Sequence, residues 1–180
     1  MENIFSCCFL IKNIYDLLQE NEKKYECFIA NDNSNGQVVL SGRNKDLGLL
    51  AEDLKKKSIK NIKLPVSSPF HCKLMNSATE IMRKEISNTE FKNPNNVIIS
   101  NVTGKETNNS NRIKDLLIEQ IESPVRWRES IIYMINKEVR KFIEIGPGKV
   151  LSGLIKRIDK SVNLISVNEI EDLKNINLND

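Results

Sequence analysis

Between residues 4 and 66 the apolar residues change period in a fixed order, and that order narrows the fold more than any other property of the chain. Ile4 to Ile11 is an apolar run whose length suits a buried strand and a helix start equally. Ile14, Leu17 and Leu18, with Tyr15 beside them, have the i, i+3, i+4 spacing of a short amphipathic helix that ends in the polar stretch Gln19 to Lys24. Cys27 to Ala30 reads as a strand closed by the turn chemistry of Asn31-Asp-Asn-Ser-Asn-Gly36, with a positive φ expected at Asn35 or Gly36. Gln37 to Leu40 is a second strand, predicted to neighbour the first across that turn. Leu47, Leu50, Ala51 and Leu54 mark the buried stripe of a helix ending in Lys55, Lys56 and Lys57, cations that complement the negative end of the helix dipole. Ile59, Ile62, Leu64 and Val66 make a further strand before Ser67-Ser68-Pro69. Strand, helix, strand, strand, helix, strand is the split βαβ, ferredoxin-like pattern.

From Pro69 the character changes. A long helix from near Cys72 places Leu74, Met75, Ala78, Ile81, Met82 and Ile86 on one face, and Val97 to Ile99 is a short β run ending at Ser100-Asn-Val-Thr-Gly104. Helices are predicted over Arg112 to Ile121 and Val125 to Asn136, with Pro124 suited to a first helical turn. Phe142 to Ile145 is a strand, Gly146-Pro147-Gly148 a turn, Lys149 to Ile158 a helix and Val162 to Val167 a last strand. That alternation belongs to a parallel α/β layer, yet three strands make a poor parallel sheet by themselves. The polar tail, 169–180, is expected to fray.

Composition matters mainly for what it excludes. In 180 residues, 27 basic and 24 acidic side chains with 39% hydrophobic residues describe a globular chain, neither disordered nor collagen-like. No stretch approaches the roughly 20 apolar residues that cross a bilayer. Ile4 to Ile11 lacks the basic flank and cleavage site of a signal peptide, so the chain reads as cytoplasmic. Cys7, Cys8, Cys27 and Cys72 have no C-x-x-C spacing, so free thiols and no metal site are expected.

His71 is the only histidine, just after the Ser67-Ser-Pro-Phe70 segment, and histidine titrates near neutrality; a catalytic base and an ordinary surface histidine are both open on this ground. Cys72 is a poor nucleophile for it, because sequence neighbours rarely face one another. No G-x-S-x-G elbow occurs in the chain. Gly146-Pro-Gly148 before a helix suits a tight turn, and also the approach of backbone N–H groups to an anion. Residues 111–160 hold eleven Lys or Arg against seven Asp or Glu, an excess of four that suits an acidic partner or ordinary solvated helix faces. Aromatics are too few and too scattered among the cations for nucleic-acid binding.

Five blocks in order, Ile29 to Gly42, Leu64-Pro-Val-Ser-Ser-Pro-Phe-His71, Ser100-Asn-Val-Thr-Gly104, Pro124-Val-Arg-Trp127 and Glu144-Ile-Gly-Pro-Gly-Lys-Val-Leu-Ser-Gly-Leu154, resemble the C-terminal half of the malonyl-CoA:acyl carrier protein transacylases. The resemblance implies a ferredoxin-like βαββαβ subdomain, residues 1–66, followed by the C-terminal part of an α/β-hydrolase-like acyltransferase core, 67–168, and a polar tail, 169–180. It implies transfer of malonyl from malonyl-CoA through a seryl ester to the phosphopantetheine thiol of acyl carrier protein, without a cofactor of the enzyme's own. His71 matches the general base. A backbone carbonyl from the Pro124 to Trp127 segment is implied to orient the imidazole, which singles out the main chain of Arg126. Phe70 borders the implied acyl pocket, where a bulky ring leaves little room for an α-methyl group. Asn33, in the turn matching an Asn-rich loop, is implied to help shape the site.

The family's Gly-Gln-Gly-Ser-Gln loop, its Gly-His-Ser-Leu-Gly elbow and the arginine that pairs with the malonyl carboxylate have no counterpart in these residues. Three readings follow: a truncated piece inactive alone, a piece completed by a separate N-terminal half, or a non-catalytic module that binds acyl carrier protein.

Overall fold

A computed structural model describes residues 2–7, 11–20 and 24–174. The expectations for Cys8, for the side chains of Cys7 and Tyr15, and for residues 175–180 lie outside the described residues. The chain divides into two compact units, Met1–Ser130 and Ile131–Asp180, in a mixed α/β architecture.

In the first unit, β1 (Glu2–Cys7), α1 (Ile11–Glu20), β2 (Cys27–Ser34), β3 (Gln37–Arg43), α2 (Asn44–Lys56) and β4 (Asn61–Lys63) follow the expected order. They form one sheet in the order β2-β3-β1-β4, antiparallel at every pairing, as a split βαβ requires. The open apolar run is divided, strand through Cys7 and helix from Ile11. Period-two alternation sends Val38 and Leu40 to one face, where Ile29 and Cys27 join them beneath Ile14, Leu17, Leu47, Leu50 and Leu54. Val39 takes the opposite face with Ala30, Leu64 and Val66. Leu47, Leu50 and Leu54 are each 1% exposed, and burying one leucine contributes about 1.5–3 kcal/mol.

The structure departs from the sequence reading here in one respect that moves a site residue. β2 runs on to Ser34, so the turn is only Asn35-Gly36, with Gly36 at φ 83°, and Asn33 lies in the strand instead of the turn. Register shifts at Ile29/Asn31 and Asp32/Ser34 let this polar stretch stay paired with β3.

The helix expected from Cys72 starts later, after a single 3-10 turn at Lys73–Met75, as α3 (Asn76–Asn88). Its expected apolar face is not buried, since Ile81 is 65% exposed while Thr79 is the residue covered. β5 (Ile98–Ile99) pairs antiparallel with the unanticipated β6 (Glu106–Thr107) across a turn in which Gly104 takes φ 66°. It does not join a parallel layer. α4 (Ser110–Glu122) is capped by the Asn109 side chain, which accepts from Arg112 N–H at 2.9 Å.

Pro124 does not open a helix. Val125 is bonded to β2 instead, its N–H donating to Ala30 O at 2.8 Å and its carbonyl accepting from Asp32 N–H at 2.9 Å, so α5 (Trp127–Asn136) begins two residues later. In the second unit, β7 (Lys141–Ile145) and β8 (Asn163–Val167) pair in parallel across α6 (Val150–Ile158). The tail expected to fray holds a last turn, α7 (Ile170–Leu173), because the Asp172 carboxylate accepts from Asn168 and Glu169 N–H.

Candidate active site

His71 sits in the irregular segment between β4 and the 3-10 turn, at φ 61°. A non-glycine residue in the left-handed region costs on the order of 1 kcal/mol, strain that persists where surrounding contacts hold it. One such contact is on the imidazole itself, whose Nδ1 lies 3.0 Å from the backbone carbonyl of Gln120. In α4 that carbonyl would ordinarily accept from the N–H four residues on, but that residue is Pro124, which has none. The carbonyl is therefore left to the histidine. Donation from Nδ1–H to Gln120 O leaves Nε2 unprotonated and able to take a proton.

The orienting carbonyl is thus Gln120's and not Arg126's. The Arg126 carbonyl accepts from Ser130 N–H at 2.9 Å and Ser130 Oγ at 2.8 Å, and its N–H donates to Asn101 O at 2.9 Å, so its main chain is committed elsewhere. The sequence held the signal, since a proline four residues beyond a helical position strips that carbonyl of its partner.

His71 borders a cleft of about 370 Å³ with Leu18, Phe28, Ile29, Cys72 and Pro124 along its wall. The cleft is largely apolar, with Lys73 and Glu122 at its lining. Cys72 is 2% exposed and its thiol donates to Pro69 O at 3.1 Å, away from any role as nucleophile for His71. Phe70 is 44% exposed, with its ring centroid 6.5 Å from that of His71, and it is not part of the cleft wall. Asn33 is half-buried in β2, next to Asp32.

Asp32 and Arg128 form a pair that the sequence did not suggest. Arg128 Nε and Nη2 reach the two Asp32 carboxylate oxygens at 2.9 and 2.8 Å. Burial pushes the Asp32 carboxyl above its ordinary value, against the pull of Arg128. Arg112 and Arg126 are also ion-paired, with Glu119 at 2.8 Å and Glu129 at 3.1 Å, but both carboxylates belong to the same region, so of these pairs only Arg128–Asp32 draws on an acidic group from outside it. At the helix start that follows the Gly146-Pro-Gly148 turn, the N–H groups are met from within the chain. Glu144 accepts from Leu151 N–H at 3.0 Å and Ser152 N–H at 2.7 Å, at the N-terminus of α6, and bonds to Ser152 hold its carboxyl below the ordinary value. No group of three His, Cys, Asp or Glu among the described residues is placed to hold a metal ion.

No family model matches the chain. The malonyl CoA-acyl carrier protein transacylase of Bacillus subtilis is 39% identical to it over 165 residues, 91% of this chain and 51% of that protein. The crystal structure of an acyl carrier protein S-malonyltransferase from Vibrio cholerae superposes with TM-score 0.91 at 34% identity, over 98% of this chain and 58% of that one. A malonyl-transacylase in complex with its type II polyketide synthase acyl-carrier protein superposes with TM-score 0.90 at 30% identity, over 96% of this chain and 57% of that one. The chain spans about half the length of the curated relatives it matches. By sequence and by fold it is a homologue, over about half their length, of the malonyl CoA-acyl carrier protein transacylases.

Proposed function

We propose that the chain carries the proton-transfer half of a malonyl transfer from malonyl-CoA to acyl carrier protein, with His71 as general base and a serine from outside these residues as nucleophile. The observation that carries this reading is the pairing of His71 Nδ1 with the freed carbonyl of Gln120, which leaves Nε2 as the working nitrogen. Nε2 takes the serine proton as the hydroxyl oxygen attacks the malonyl thioester. The C–O bond forms, the C–S bond breaks, and the imidazolium returns the proton to the departing coenzyme A thiol. The phosphopantetheine thiol of the carrier then gives its proton to Nε2 and attacks the seryl ester, and the serine recovers its proton. No step requires a cofactor.

Phe70, beside the base, disfavours an α-branched acyl group, which hydrophobic fit limits to about 1–3 kcal/mol of discrimination. Asn33 contributes to the same site from β2. The substrates belong to the cytoplasm, and no helix among the described residues is long and apolar enough to cross a membrane. A purely carrier-binding role draws on the basic region 111–160, and the pairing of Arg128 with Asp32, a carboxylate outside that region, weakens that alternative.

The test is transfer of radiolabelled malonyl from malonyl-CoA to purified acyl carrier protein. The chain is assayed alone and with a polypeptide supplying the serine-elbow half of a curated relative, each beside His71→Ala. The chain alone is expected to be silent and the mixture active, with a loss of about 10²–10⁴-fold in the variant. A mixture equally active with His71→Ala would remove His71 from the mechanism. Activity of the chain alone that disappears in the variant would point to a nucleophile within these residues.

A further inference from the structure

Residues 55–63 hold five lysines, Lys55, Lys56, Lys57, Lys60 and Lys63, and no Asp or Glu, whereas region 111–160 sets seven acids among its eleven cations. All five are exposed, at the end of α2 and at β4, the outermost strand of its sheet. Lys56 meets Asp53 at 3.0 Å, but Lys55, Lys57 and Lys60 have no ion-pair partner among the described residues. Ile62 lies between Lys60 and Lys63 and is 55% exposed. An exposed apolar side chain flanked by cations is the make-up of a docking patch for an acidic protein surface, apolar at its centre and charged at its rim.

The patch also stands close to the base. Lys63 and His71 belong to the same compact unit and are eight residues apart, so their Cα atoms would lie within about 29 Å of each other even if the chain between them were fully extended. It is not extended, since Val66 N–H donates to Leu64 O at 2.9 Å and Phe70 N–H to Ser68 O at 3.0 Å, two tight turns that shorten the span. We propose that the lysine strip at 55–63 is the surface on which the acyl carrier protein docks, its acidic face on the lysines and its prosthetic arm within reach of His71. The choice of the carrier as occupant rests on the proposed function, whereas the capture of an acidic protein by the strip does not.

The experiment measures binding of apo acyl carrier protein, which lacks the arm, to the full 180-residue chain by isothermal titration calorimetry at low and at raised salt. Wild type is compared with Lys55→Glu/Lys57→Glu/Lys60→Glu and with Lys84→Glu/Lys92→Glu/Lys105→Glu, exposed lysines elsewhere in the same unit. A third variant carries Gln at 55, 57 and 60, which removes the charge without setting acids at the end of α2. Binding is expected to weaken as salt rises and to fall about ten- to a hundredfold with Glu in the strip, less with Gln, and about threefold or less in the control. Equal losses in strip and control would mean that only net charge matters and would overturn the proposal. So would wild-type affinity in a strip variant of unchanged circular dichroism, or no binding by the wild type at low salt. Unchanged carrier affinity beside lost retention on heparin would assign the strip to another polyanion and overturn it as well. In the completed enzyme the strip variant should raise KM for the carrier and leave KM for malonyl-CoA unchanged. That rise beside a fully active His71→Ala would keep the docking surface and sink the proposed function.

Discussion

Asp32 on β2 and Arg128 on α5 stand 96 residues apart and meet through two guanidinium nitrogens on two carboxylate oxygens. Asp32 is 4% exposed, and the adjoining backbone is bonded as well, Asp32 N–H to Val125 O. The pair therefore fixes the segment after α4 to the sheet, and with it the helix end that carries Gln120. Asp32→Asn removes the carboxylate that Arg128 meets at a mostly buried site. The expected cost is about 2–3 kcal/mol, which lowers the melting temperature by roughly 4–12 °C in a chain of this size. Asp32→Asn combined with Arg128→Met should cost less than the sum of the two single changes. Strict additivity in that cycle, measured by thermal denaturation, would mean that the pair contributes nothing.

Glu144 predicts a pH dependence confined to α6. Its carboxyl is held below its ordinary value in the folded chain, so its stabilising contribution is complete above the unfolded value and lost as pH falls through the folded one. Amide exchange at Leu151 and Ser152 should therefore accelerate, relative to the intrinsic rate, as the solution is acidified below about pH 4. Glu144→Gln should show that faster opening already at neutral pH. Protection in the variant that equals wild type at pH 7 would show that the carboxylate does not cap the helix.

Gly42 is needed for room rather than for conformation. A Cβ there would lie 2.5 Å from Glu26 O and 3.2 Å from Cys27 Cα, both backbone atoms of the β2 side that cannot turn aside. Gly42→Ala is expected to lose about 1–3 kcal/mol by forcing β2 and β3 apart. The check is a lower urea midpoint at unchanged slope; an unchanged midpoint would mean that the strands yield freely.

Cys27 and Cys72 are buried outside any disulfide, 8% and 2% exposed. Alkylation with iodoacetamide followed by mass spectrometry should leave both unmodified in the native chain and modify both in urea. Rapid native labelling of Cys72 would mean that the His71 segment opens far more often than its contacts imply.

Much of the first unit was legible in its residues, because local rules agree with one another there. The Leu47, Leu50, Leu54 stripe, the Asn35-Gly36 turn and the alternation of Val38, Val39 and Leu40 each specify a period or a φ that a single segment can satisfy alone. Where such rules failed, a distant partner had intervened. Asn31 to Ser34 have turn chemistry, yet pairing with β3 and the Arg128 countercharge keep them in a strand. Pro124 suits a helix start, yet two backbone bonds from Val125 to β2 delay α5. Ile81 and Met82 have the spacing of a buried face, and periodicity reports that a face is apolar without reporting what covers it.

The same division runs through the candidate site. The residues alone determined that one histidine follows a Ser-Pro segment, that no serine elbow accompanies it, and that Pro124 leaves a carbonyl of α4 without its helical donor. Only the tertiary structure decided that this carbonyl belongs to His71, that Arg126 is bonded elsewhere, and that Asp32 meets Arg128. Helix period, turn geometry and the missing proline N–H are properties of a few consecutive residues and can be read locally. Which acceptor a ring nitrogen finds 49 residues away depends on how packed elements bring distant backbone together, and no local pattern encodes that distance.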